Sequence, residues 1–278
     1  MLGLGTGINK LSSAEAASIA SRSGGYLLDT YSGAAAAYSL RQLSSSYSGN
    51  AVKVRRSSDN TETDIGFVGG ELDTASLSSF AGAGDAFVVS WFDQSGGTLG
   101  DLVQISSAQQ RKIYDGSSGY VGYLERVSNG GLYRPATKTT ISQPFSFFGV
   151  YDHGGLSGSY FFDAYGSNNR AGVIDNSGQN ATQVFGGGSI YGARNITGTT
   201  ITSAVFNGAS STVSVNGETA VTGTLTGSFD FITLGARYTG TSTSTNDKIF
   251  ELVIYEDAKN DTDRVGIQNN LNGFYQAY

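Results

Sequence analysis

From Pro144 onward the chain repeats one pattern: a short run of aromatic and β-branched residues, then a turn signal, at intervals of about 8 to 12 residues. The runs are Phe145 to Tyr151, Tyr160 to Tyr165, Ala171 to Ile174, Thr182 to Phe185, Ile201 to Phe206, Thr212 to Val215, Asp230 to Leu234 and Ile249 to Tyr255. Spacing of that kind predicts a β-sandwich. Two Asn-Gly dipeptides, Asn207-Gly208 and Asn216-Gly217, bracket the alternating Val213 and Val215 and supply the positive backbone angles that hairpin turns need, so the meander is antiparallel. After it, Arg264, Ile267, Leu271 and Phe274 or Tyr275 follow helical spacing behind the acidic residues Asp261 and Asp263, which suit a helix N-terminus. A terminal helix therefore packs across the sandwich, and helix capping accounts for the acids from Asp257 to Asp263.

The first half is more mixed. Residues 1 to 25 are small and polar with one helix-capable stretch, Ser12 to Ser21, and read as an arm or attachment segment. Tyr26 to Asp29 reads as a strand. In the segment Gly33 to Tyr47, Ala36, Leu40, Leu43 and Tyr47 recur at helical spacing, which predicts a helix. Ala51 to Arg56 and Thr63 to Val68 read as strands around the turn Ser57 to Asn60. Asp73 is placed to cap a short helix reaching Phe80. Ala86 to Phe92 reads as a buried strand, with Trp91 in the core.

Composition narrows the function classes. Forty glycines are about twice the usual share, and charged residues make up 14% against a typical ~25%, as many short strands joined by tight turns require. A net charge of −6 argues against a nucleic-acid partner. The one basic cluster, Lys53, Arg55 and Arg56, alternates with apolar residues and reads as a solvated strand face. With no cysteine there is neither disulfide nor thiolate chemistry. Neither a signal peptide nor a membrane-spanning segment is expected from the sequence. The single His153, in a turn before Gly154-Gly155, reads as a surface residue, and Asp93 and Asp163 read as turn formers whose carboxylates accept backbone amides.

Four segments in fixed order carry a resemblance: Ala36-Ala-Tyr-Ser-Leu-Arg41, Val54-Arg-Arg-Ser-Ser-Asp-Asn60, Asp64-Ile-Gly-Phe67 and Trp91-Phe-Asp-Gln-Ser-Gly96. They resemble the N-terminal part of the catalytic module of fungal-type alpha-L-arabinofuranosidase B. The same segments recur in bacteriophage structural proteins, followed by a laminin-G-like meander and a closing helix like Val265-Gly-Ile-Gln-Asn-Asn-Leu-Asn-Gly-Phe-Tyr275. The opening Leu2-Gly-Leu-Gly-Thr-Gly7 is also similar to the start of phage virion proteins. Over residues 26 to 278 the resemblance implies a mainly β fold, an antiparallel concanavalin-like jelly-roll sandwich with a few short helices.

The family's two carboxylates map to Phe162-Asp-Ala-Tyr-Gly-Ser-Asn-Asn169 and Leu234-Gly-Ala-Arg-Tyr-Thr-Gly240. The nucleophile position falls at Asn168 or Asn169, and an amide cannot form a glycosyl ester. The second segment holds no carboxylate. The expectation is therefore a chain that is not an enzyme: a noncatalytic bacteriophage virion structural protein, decorating the capsid or forming a head fibre or tail fibre. It would assemble in the host cytoplasm as a homo-oligomer, a trimer for example, with capsid or tail proteins as partners and without cofactor or metal. Two readings stand beside it. One is a glycan-binding receptor-recognition module using Tyr165, Asn168, Asn169, Arg237 and Tyr238, the residues mapping to the family's active site, with host surface glycans as partners. The other is an active arabinofuranosidase-like glycoside hydrolase, in which Glu218 and Glu251 would be the first carboxylates to examine.

Overall fold

A computed structural model describes residues 25–127, 134–135, 139–154, 158–165, 170–193, 198–238 and 247–278. The arm expected over residues 1 to 25, with its helix at Ser12 to Ser21, lies outside the described residues except for Gly25.

The chain begins with a one-turn helix α1 (Leu27–Thr30), strand β1 (Ala34–Ser39), the hairpin of β2 (Val52–Arg56) and β3 (Glu62–Ile65), and the ribbon of β4 (Phe67–Val68) and β5 (Glu71–Leu72). Helix α2 (Thr74–Ala81), β6 (Ala86–Trp91), β7 (Leu102–Val103), β8 (Lys112–Asp115), β9 (Gly119–Glu125) and β10 (Arg134–Pro135) complete this half. The second half runs β11 (Phe145–Asp152), β12 (Tyr160–Tyr165), β13 (Arg170–Asn176), β14 (Ala181–Phe185) and β15 (Ser189–Gly192). It continues through β16 (Thr200–Phe206), β17 (Gly208–Val215), β18 (Val221–Leu225), β19 (Phe231–Leu234) and β20 (Lys248–Tyr255) to helix α3 (Asp261–Tyr275).

The strands form a β-sandwich. The larger sheet runs β10-β7-β6-β8-β9-β20-β11-β16-β17-β18, with β1 also on β20 and the β2–β3 hairpin on β6; the facing sheet runs β15-β14-β13-β12-β19. Neighbouring strands in both sheets are antiparallel. Between the sheets lies an aromatic seam. Phe145 stacks on Phe206 with centroids 4.3 Å apart, Phe147 meets Phe162 at 4.8 Å, and Phe162 meets Phe229 at 5.8 Å. Rings of this size dominate the burial energy, and each such pair adds about 0.5–1.5 kcal/mol beyond its area. Gly149 on β11 has a packing reason: a Cβ there would overlap the rings of Phe161 and Phe147.

A second core lies on the other side of the larger sheet. Ile267 and Leu271 of α3 bury against Leu27, Leu43, Phe148, Val150, Ile201, Val253 and Tyr255. Helix α3 starts at Asn260, whose side chain accepts the Asp263 amide. The closing helix is thus as expected, as is the Asp73 cap of α2, which accepts the Ser76 amide at 2.9 Å. The hairpin turn after β17 uses Asn216 and Gly217 at positive φ.

Two expectations for the first half fail. Where a helix is expected from Gly33 to Tyr47, Ala34–Ser39 is strand β1, paired with β20 and buried along its whole length, and the residues after it are irregular. Ala36 and Tyr38 enter the core between the sheets, while Ala34 and Ala37 enter the core under α3. Alanines fill both faces because both are covered, and tertiary packing overrides a helical stripe. Tyr26 to Asp29 is not a strand, because Leu27–Thr30 makes one helical turn.

Helix and sheet are joined by buried charge. Arg41, just past β1, donates through Nε and Nη2 to Glu251 of β20 at 2.8 and 3.0 Å, and through Nη2 to Asn270 of α3 at 2.8 Å. Ser39 and Tyr275 also donate to Glu251. Removing one partner strands the other charge away from water. Glu251→Ala is expected to lower unfolding free energy by about 3–5 kcal/mol, and Gly149→Ala by about 1–3 kcal/mol through overpacking, both read by urea denaturation.

Candidate functional site

Strand β12 places the central carboxylate. Side chains alternate along a strand, so with Phe162 and Ala164 in the core, Asp163 takes the opposite face. Its neighbours there come from β13 and from the turn after β19. Arg170 donates to Asp163 as a fork, Nε to Oδ1 at 2.7 Å and Nη2 to Oδ2 at 2.6 Å. The Tyr238 amide donates to the same Oδ2 at 2.8 Å. Asp163 is fully buried beneath them.

Arg170 is surrounded by rings. Its guanidinium carbon lies 4.8 Å from the Phe185 centroid, 5.0 Å from Tyr238 and 5.3 Å from Tyr160. Burial works against its charge, but hydrogen bonds and charge from Asp163 and Tyr160 together outweigh that and hold its pKa above the ordinary arginine value. Beside it a shallow groove of about 560 Å³ is lined by Tyr160, Arg170, Ile174, Gln183, Phe185 and Ser189. Rings next to a fixed guanidinium and a side-chain amide offer C–H packing surfaces and hydroxyl partners together, which is the chemistry a sugar demands.

Of the five expected site residues, the structure brings two to this face. Tyr238 covers Arg170, and the exposed Arg237 lies over the Tyr238 ring at 5.7 Å. The Tyr165 backbone pairs with Arg170 and Phe231, but its side chain lies outside the described residues, as do Asn168 and Asn169. Sequence reasoning missed Arg170, Tyr160 and Phe185. The signal for Arg170 was available: Tyr165 and Arg170 sit directly opposite on adjacent antiparallel strands, so Arg170 shares a face with Asp163.

Other singled-out residues lie elsewhere. Glu251 is consumed by Arg41, and Glu218 lines a groove against α3 with Asp261 and Arg264. Asp93 is the expected turn former, accepting the amides of Ala37, Ser95 and Gly97. Asp163 accepts an amide as expected but is chiefly the partner of Arg170. His153 is not on the surface: it is 3% exposed, with Nε2 3.9 Å from Asp175.

A buried charge cluster stands behind the site. Asp247, just before β20, receives Arg111 Nη2 on one carboxylate oxygen and Arg126 Nε on the other. Burial alone would raise the Asp247 pKa, but the charges of Arg111 and Arg126 outweigh it and hold it below the ordinary aspartate value.

The alpha-L-arabinofuranosidase B catalytic family model matches residues 29–243, a span that includes β12, β13 and the 235–238 turn. The chain belongs to this family. Three solved structures are similar to it. A GH54 arabinofuranosidase soaked with a cyclic sulfate inhibitor gives a TM-score of 0.67 at 16% identity. A mutant GH54 arabinofuranosidase soaked with 4-nitrophenyl α-L-arabinofuranoside gives 0.68 at 15%, and an arabinofuranosidase complexed with arabinofuranosyl-α-1,2-xylobiose gives 0.66 at 15%. Each alignment covers 90% of this chain and 64% of the other. At this identity they show the shared sandwich fold. No curated protein matches the chain.

The family match overturns the expectation of a noncatalytic virion protein, whether capsid decoration, head fibre or tail fibre. That expectation gave the two vacant carboxylate positions more weight than the catalytic-module pattern, which runs through most of the chain.

The depressed Asp247 pKa has a pH consequence. An aspartate held below its unfolded value of about 3.9 stabilises the fold above that pH, and the contribution is lost as pH falls through the folded value. Acid titrations followed by circular dichroism are expected to show wild type losing stability below about pH 4, with a shallower acid limb in Asp247→Asn.

Proposed function

We propose that the chain is a carbohydrate-active domain of the glycoside hydrolase type, acting on α-L-arabinofuranosyl groups, built on a concanavalin-like jelly roll. The substrate is taken on the face where β12, β13 and the 235–238 turn meet. The observation that carries the reading is the Asp163–Arg170–Tyr238 arrangement, lying within the stretch matched by the arabinofuranosidase catalytic family.

Asp163 fixes the guanidinium, so Arg170 meets sugar hydroxyls with little further loss of rotamer entropy. Tyr160, Phe185 and Tyr238 supply the surfaces against which the furanose C–H groups pack. A retaining glycosidase uses two carboxylates about 5 Å apart. By the family resemblance the nucleophile position falls at Asn168 or Asn169, an amide in either case, and Asp163 on this face is buried under Arg170. An amide at that position cannot form the glycosyl ester of the retaining mechanism, and the buried Asp163 is occupied by Arg170 and the Tyr238 amide. Turnover is therefore slow relative to binding.

Incubation with 4-nitrophenyl α-L-arabinofuranoside and with arabinoxylan is the test, following nitrophenol and free arabinose. Slow release is expected from wild type, with at least a tenfold loss in Arg170→Ala and a comparable loss in Asp163→Asn, which frees the guanidinium from its partner. Binding without release in wild type would overturn the hydrolytic part, and absence of both would overturn the reading.

A further inference from the structure

The Arg111–Asp247–Arg126 cluster stands out in a chain with so few charges. Arg111, just before β8, is fully buried. Its Nη1 donates to the carbonyls of Leu124 at 3.2 Å and Asp247 at 3.1 Å. Its Nη2 donates to the Asp247 carboxylate and to the carbonyl of Gly235 at 3.4 Å. Arg126 donates to the other carboxylate oxygen, and its amide donates to the Asp247 carbonyl at 3.1 Å. Two guanidinium groups thus share one carboxylate, and three backbone carbonyls complete the set around Arg111.

The Gly235 carbonyl is the informative acceptor. Gly235 directly follows β19 of the five-stranded sheet, whereas Arg111, Leu124, Arg126 and Asp247 lie in or beside strands of the larger one. Arg111 therefore ties the two sheets together at the point where the chain leaves β19 for Tyr238. The turn takes an uncommon path, with Gly235 at φ +71. On its other side, the Gly235 amide donates to the Phe161 carbonyl at 2.8 Å and the Tyr238 amide to Asp163.

We propose that Arg111 is a positioning residue for the glycan face: by holding the Gly235 carbonyl it sets the Gly235–Tyr238 turn, so that the Tyr238 amide reaches Asp163 and its ring covers Arg170. Asp247 and Arg126 keep Arg111 aimed at that carbonyl. A lysine could satisfy the charge of Asp247, but its single ammonium lacks the fork that reaches Gly235, Leu124 and Asp247 at once. The geometric part stands on the hydrogen bonds; its effect on ligand rests on the arabinofuranosyl reading.

The test uses the full chain with Arg111→Lys and Arg111→Met. Three readouts apply: thermal unfolding, the Nε–H NMR signal of Arg170, and affinity for arabinoxylan oligosaccharides. Arg111→Lys is expected to remain folded, with a shifted Arg170 signal and at least tenfold weaker affinity. A purely structural role would lower the unfolding temperature yet leave signal and affinity in the folded protein unchanged, and that result in Arg111→Lys would overturn the proposal. Should Arg111→Met fail to fold, the lysine variant decides alone. Should wild type bind no arabinofuranosyl glycan, the functional reading fails, while the Arg170 signal still decides whether Arg111 sets the turn.

Discussion

The register of β12 in its sheet is the constraint on which the candidate site depends. Phe162 must enter the seam with Phe147 and Phe229, and Ala164 must lie flat behind it. A slip by one residue would bury Asp163 in that seam and expose the ring, exchanging the two faces of the strand. The aromatic core thus does more than hold the sheets together. It decides that Asp163 points to the face where Arg170, on the adjacent strand β13, can meet it as a two-pronged donor. Asp163 in turn fixes the guanidinium against which Phe185, Tyr160 and Tyr238 lie.

Much of this was legible in the sequence wherever periodicity and burial agree. The strand run Tyr160 to Tyr165 coincides with β12, and the runs from Phe145, Ile201 and Ile249 fall within a residue or so of β11, β16 and β20. Strands β15 and β18 were not legible, because Ser189–Gly192 and Val221–Leu225 are short, glycine-containing and at sheet edges. Gly33 to Tyr47 misled for a different reason. Alanine is equally at home on a helix face and in a strand covered on both sides, and only the presence of two separate cores tells them apart. Single-residue context misled at His153, where a turn-like sequence hid a ring buried beside Asp175.

The site was legible in part and the family's weight was misjudged. Tyr238 and Arg237 could be placed from the motif after Leu234, but Arg170 could be found only by pairing β12 with β13. The expectation of a noncatalytic chain leaned on two vacant positions together with a resemblance to phage proteins. A family pattern spread through residues 29–243 reflects the sandwich from β1 to β19, including strands far from those two positions.

Charge is scarce in this chain, and its placement follows a rule. In Asp163–Arg170, Arg41–Glu251 and Arg111–Asp247–Arg126 each arginine stands at or just beyond the end of a strand, where a segment must be held without further ladder bonds. Apolar packing is poor at such a task, since it gains nearly as much from a neighbouring register or a rotated turn. A guanidinium fork is directional, and it loses most of its worth if a carbonyl or carboxylate moves by an ångström. Burying such groups stabilises little overall because desolvation offsets the attraction. What the chain gains is a single arrangement of α3 on the sheet, and a single path for the turn that carries Tyr238 onto Arg170.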